Sequence, residues 1–139
     1  MTTAAELRAL FDVQHAASRQ QVEVPLLLRR ERLLRMRKLL DEHAPALAAA
    51  VEADFGVRSP RLTEVADFFM LRSLIKHTLA HLARWSRPHK VRTPLHMQPA
   101  HAWVQRQPLG VVEVLAPWTS SLLLALAPAL AALVAGHRV

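Results

Sequence analysis

The sequence predicts an α/β chain. A helical layer comes first, an extended segment follows, and the opening strand–helix unit of a parallel sheet comes last. Three observations carry this. Apolar residues recur at three- and four-residue steps as far as Arg87. Three prolines, Pro94, Pro99 and Pro108, then interrupt the pattern. After Gly110 a valine-rich run, a turn and an apolar helix succeed one another, the order that begins a parallel sheet. The chain accordingly divides into residues 1–90, 91–109 and 110–139.

Leu7, Leu10, Phe11 and Gln14 sit at helical spacing, with Thr3 placed as a cap. A second helix begins at Pro25, suited to a first turn, and runs to His43 with Leu26, Leu33, Met36 and Leu40 in one line. A third, alanine-rich, covers Ala44 to Phe55, and Gly56 is placed to stop it in a left-handed conformation. Ser59 and Pro60 cap and open a fourth, whose apolar line is Phe68, Leu71, Ile75, Leu79, Leu82 and Trp85, and Pro88 ends it.

Beyond Val91 the prolines favour extended chain, and Ala102–Arg106 suits an edge strand, where proline neighbours are tolerated. Val111–Leu115 reads as a strand, Ala116–Ser120 as a turn, and Ser121–Ala135 as a helix stopped by Gly136. His137–Val139 looks like the first step of another strand.

The final helix has no polar side chain from Leu122 to Ala135. A helix apolar all round has to be covered all round, and each leucine gains about 1.5–3 kcal/mol from full burial. Most of a covering sheet would lie beyond Val139, so the isolated chain is expected to be sticky or poorly folded. A membrane span is the rival reading. The run falls short of the ~20 residues a span needs, and Pro128 interrupts it.

Composition narrows the functions. With 139 residues and 52% hydrophobic residues the chain suits one folded domain rather than a disordered tail. There is no cysteine, which excludes disulfides, thiolate metal sites and thiol nucleophiles. A net charge of +7 permits anionic partners without specifying one. The N-terminus lacks a basic start followed by an apolar run, so no secretory signal is read and the cytoplasm is expected.

Few motifs bear chemistry. Glycine stands only at 56, 110 and 136, so neither a P-loop nor a dinucleotide fingerprint can be written. His77 and His81 have a spacing that can place two imidazoles on one metal, but no third ligand is evident and a solvated helix face explains them more simply. The cluster from Arg29 to Lys38 could meet phosphates, yet no aromatics are interleaved with it for base stacking, which favours a solvated face. Trp118, at the C-terminal end of the expected parallel strand, lies where open α/β sheets bind ligands. It could equally plug the strand–helix corner.

Taken together, Gln107–Val112, Ala116–Pro117–Trp118 and Ala135–Val139 resemble a stretch of the aldehyde dehydrogenase superfamily. There a "PLGVV" strand leads to an "APWN" turn, an apolar helix and a "GN-x-V" strand. Glu52–Gly56 and Arg84–Trp85 followed by Pro88 also resemble the family's N-terminal helices, in the style of the branch that includes coniferyl aldehyde dehydrogenases. The resemblance implies a Rossmann-like dinucleotide-binding sheet, here incomplete. It implies oxidation of aldehydes with NAD or NADP, through a cysteine nucleophile and a water-activating glutamate. Leu115, Ala116, Pro117 and Trp118 would line the dinucleotide site, and Ala102–Arg106 would belong to an oligomerisation region contacting a second copy or a full-length relative.

Thr119 stands where the family carries the asparagine that donates a hydrogen bond to the oxyanion, and Ser120, Ser121 and His137 also depart from the pattern. The family's cysteine, glutamate, cofactor-binding lysine and glycine turn would lie beyond Val139. The resemblance thus implies an N-terminal portion that binds no cofactor tightly and does not catalyse alone. Two readings from other classes stand beside it: a docking module for an intact relative, and a basic helical nucleic-acid binder.

Overall fold

A computed structural model describes residues 3–139. The element order is α1 (Ala4–Gln20), α2 (Leu26–Phe55), α3 (Pro60–Thr63), a π-helical segment (Glu64–Phe69), α4 (Met70–Trp85), β1 (His89–Val91), β2 (Ala102–Val104) and α5 (Ser121–Ala135). A short 3₁₀ turn, Leu95–Met97, lies between the strands.

Helix α1 is opened by the expected cap. Thr3 Oγ1 accepts from the Glu6 amide at 3.3 Å, and Glu6 accepts from the Thr3 amide at 2.7 Å. These bonds hold the Glu6 carboxyl below its ordinary range. None of its residues is buried, and Leu7, Leu10 and Phe11 remain exposed.

The core lies where α2, α4 and α5 meet. Leu33 and Leu40 from α2, Phe68 from the π segment, Leu71, Ile75 and Leu82 from α4 and Leu130 from α5 form one buried cluster. The apolar lines of α2 and α4 thus pack as their spacing demands, although Leu26 and Trp85 at the ends stay outside.

Several expectations need correcting. The second and third helices are one: α2 runs through Pro45. A proline inside a helix costs ~3 kcal/mol. Here Leu40 before it and Leu47, Ala48 and Val51 after it all turn inward, so burial on both sides outweighs the lost hydrogen bond. Pro25 is the cap residue rather than the first helical one, and Gly56 ends α2 at φ 71° as anticipated. The fourth helix is not uniform. Its π turn takes up an extra residue, which allows Thr63, Asp67 and Phe68 to be buried together.

The sheet is smaller than expected. β1 and β2 form an antiparallel ladder pairing His89 with Val104, Lys90 with Trp103 and Val91 with Ala102. The anticipated edge strand is therefore real but stops at Val104 instead of Arg106. Val111–Leu115 is not a strand. One parallel bridge joins Val111 to Arg138, and beyond it no neighbouring strand among the described residues supplies a ladder. The chain is mostly helical, and the α/β character reduces to this bridge and the two-stranded ladder.

Helix α5 matches its expected bounds, with Gly136 left-handed at φ 94°. Its cover is one-sided. Leu130 and Ala132 are buried, Leu124 is exposed, and an apolar groove of about 440 Å³ opens beside Leu74, Leu82, Leu130 and Val134. Among the described residues, no helix is long and apolar enough to cross a membrane.

A candidate cofactor wall at the turn before the last helix

Gly110 has φ 125°, a conformation only glycine adopts without strain, and there the chain turns toward the last helix. Two backbone bonds then fix the start of the segment. The Val112 amide donates to the Arg138 carbonyl at 2.8 Å, and the Arg138 amide donates to the Gly110 carbonyl at 2.9 Å. From this anchor the chain passes along Glu113–Thr119 to the N-terminus of α5.

Leu115, Ala116, Pro117, Trp118 and Thr119, the residues singled out from the sequence, are all exposed and adjacent. Trp118 is 77% exposed, so it does not plug a corner of the core. Its one aromatic neighbour is Phe55, at 5.9 Å between ring centroids. The Arg58 guanidinium lies 5.4 Å from the centre of the Phe55 ring, donates to Asp67 Oδ2 at 2.7 Å and reaches Thr63 Oγ1 at 3.1 Å. A relay of contacts therefore runs from a buried carboxylate, through a cation and a ring, to an exposed indole.

Sequence patterning did not single out these contacts of Phe55, Arg58 and Asp67. Asp67 is 1% exposed but adjoins the apolar line of its helix, and only the π turn brings it inward. The available signal was a lone acidic residue beside Phe68 together with Arg58 just before the helix.

Ser120 is the helix cap but adopts φ 48°, ψ 42° and makes no side-chain cap bond. A serine in the left-handed region is uncommon, and strained positions of this kind gather at functional turns. The Leu124 amide still reaches the Ser120 carbonyl at 3.0 Å, so the helix begins on schedule.

At the other end of α5, His137 Nδ1 accepts from the Leu109 amide at 3.0 Å, and the His137 amide donates to the Ala132 carbonyl. Burial, and secondarily the charge of Arg29, holds the His137 imidazole below its ordinary pKa. Accepting through Nδ1 requires that nitrogen to be unprotonated, which agrees in direction.

The other motifs resolve into local structure. His77 and His81 stack at 4.2 Å with Trp85 beyond them, and no group of three candidate metal ligands forms among the described residues. Arg35, Arg37 and Lys38 pair with Glu31, Asp41 and Glu42 one turn away along an exposed face.

The aldehyde dehydrogenase family model matches residues 1–139. The chain belongs to the aldehyde dehydrogenase family. Within that family it is 37% identical to a probable coniferyl aldehyde dehydrogenase of Pseudomonas aeruginosa over 134 residues, which is 96% of this chain and 28% of that protein. It is also 37% identical to a coniferyl aldehyde dehydrogenase of Pseudomonas sp. strain HR199, covering 97% of this chain and 28% of that one. The fold is similar to that of Staphylococcus aureus AldH in a substrate-bound state, with a TM-score of 0.84 and 21% identity, over 99% of this chain and 29% of that one. The chain thus spans under a third of the length of these aldehyde dehydrogenase relatives.

Proposed function

We propose that these residues form the N-terminal helical layer and one wall of the cofactor site of an NAD(P)-dependent aldehyde dehydrogenase, and that they do not oxidise aldehydes unaided. The observation that carries the reading is the exposed, apolar run Leu115–Trp118, on a chain matched along its whole length by the family model.

When bound, the dinucleotide supplies the hydride acceptor of the family reaction. The residues present fit part of it. Leu115, Ala116, Pro117 and Trp118 offer an apolar face to a ring or ribose, and the Phe55–Arg58–Asp67 relay steadies Trp118. The three glycines are too dispersed to make a phosphate-cradling loop, so this chain holds a flank of the dinucleotide and not its pyrophosphate.

Thr119 occupies the place of the oxyanion-binding asparagine. Its hydroxyl can donate one hydrogen bond but is shorter and aimed differently, and loss of such a donor costs about 3–4 kcal/mol. None of the 139 residues is a cysteine, so thiolate addition to the carbonyl has no nucleophile here. The test is NADH formation by the pure chain with NAD and an aromatic aldehyde. No turnover above background is expected, and sustained turnover would overturn the assignment.

A docking role toward a full-length relative has its own support. Trp103 and Val104 on β2 are more than half exposed, and among the described residues β2 pairs on one side only, leaving an edge able to extend a sheet. Co-purification with a full-length relative and a changed activity of that relative would favour docking. Two proteins that elute separately, with activity unaltered, would remove it.

A further inference from the structure

Most of the arginines in this molecule that reach the interior have found an acceptor. Arg58 meets Asp67, Arg72 meets Asp41 and Glu64, and Arg29 meets the carbonyls of Val24 and Val134. Arg32 has not. Its Nη1 is buried and without a partner among the described residues.

Arg32 borders a cavity of about 30 Å³ together with Arg19, Arg138, Ser18, Gly110 and Gly136. Three arginines line this space and no acidic residue does. Arg138 is fixed there by its backbone bonds to Gly110 and Val112, while its Nη1 donates to Gln14 Oε1 at 3.3 Å. Burial, then the nearby charges of Arg138, Arg35 and Arg29, push the Arg32 pKa down. Arg35 is turned toward Glu31, so it offers Arg32 repulsion without an acceptor.

An unmet buried donor is costly, and a charged one more so. Clustered like charges add to that cost. A bound oxyanion removes both at once, because a guanidinium presents paired N–H groups that match oxyanion geometry. The cavity has room for one small ion and none for a nucleotide.

We propose that Arg32, Arg138 and Arg19 bind one small oxyanion of the inorganic phosphate class. This site lies at the Gly136 end of α5, whereas the cofactor wall adjoins its N-terminus. The 15 residues of α5 put about 22 Å between those two ends. The site is therefore separate from the dinucleotide flank, and its failure would leave the dehydrogenase reading intact.

The test is calorimetric titration of the full chain with inorganic phosphate, against chloride and acetate at matched ionic strength. One saturable phosphate site per chain is expected, with Arg32→Gln and Arg138→Gln each weakening it at least tenfold and Arg84→Gln, on α4, leaving it unchanged. Should Arg32→Gln fail to fold, Arg138→Gln decides the matter, since its backbone bonds persist. Absence of saturable phosphate binding, equal responses to phosphate, chloride and acetate, or wild-type affinity in Arg138→Gln would overturn the proposal.

Discussion

Replacing Arg58 with methionine should be among the most damaging single changes in this chain. Asp67 is 1% exposed and takes its one charged hydrogen bond from Arg58, at 2.7 Å on Oδ2. Its other oxygen, Oδ1, is already buried without a partner among the described residues. Arg58→Met leaves the whole carboxylate uncompensated in the interior, at a cost of about 3–5 kcal/mol. The hydrogen bond to Thr63 goes too, adding about 1 kcal/mol. Against a total stability of about 5–15 kcal/mol for a domain, that is enough to unfold a large fraction of the molecules. Arg58→Met combined with Asp67→Leu removes the stranded charge along with its partner, and most of the loss should return. Urea unfolding followed by circular dichroism measures all four species of the cycle. If Arg58→Met costs under about 1 kcal/mol, or the double variant is no more stable than the single, the buried pair is not what holds this corner.

Four further outcomes follow from the geometry. Leu40→Ala, at a position 0% exposed, should lose about 2–5 kcal/mol in the same urea assay. Gly136→Ala forces a side chain into φ 94° and places its Cβ 3.2 Å from the Arg29 guanidinium. It should cost at least ~1–2 kcal/mol and shift the melting temperature down. His137 has a lowered pKa, so the unfolded chain takes up its proton first. Stability should fall as pH drops below the ordinary histidine value of ~6.5 and level off above it, and His137→Asn should flatten that slope. Thr3→Ala should speed amide hydrogen exchange in the first turn of α1 several-fold without moving the global melt, because α1 contributes nothing buried.

The helices were legible because their causes are local. Thr3 with Glu6, the glycines at 56 and 136, and the spacing of Leu33 to Leu40 and Leu71 to Leu82 each act within a turn or two of themselves. The continuity of α2 through Pro45 was not legible, since it depends on Leu40 and Val51 both facing inward, with Leu40 in a core built by distant segments. The π turn escaped for the same reason. An apolar line with one residue too many reads as ordinary helix until the burial of Asp67 shows where the excess is absorbed. The valine run after Gly110 has the composition of a strand, but ladder bonds come from neighbours, and only Arg138 lies alongside. At the proposed cofactor wall, the order Ala116–Pro117–Trp118 marked the turn. Its support from Phe55 and Arg58 rests on contacts some 60 residues apart in sequence, which no local pattern encodes.

The widened turn at Glu64–Phe69 works as a phase shifter between two stretches of one rod. Each residue in a regular helix advances the azimuth by about 100°, so winding this segment regularly at unchanged length would rotate Pro60–Thr63 by that angle against α4. Thr63 would swing away from Arg58, and with it the orientation of the ring beneath Trp118. A change of winding far from the exposed indole would thereby re-aim it, a way of adjusting the candidate site that requires no substitution within it.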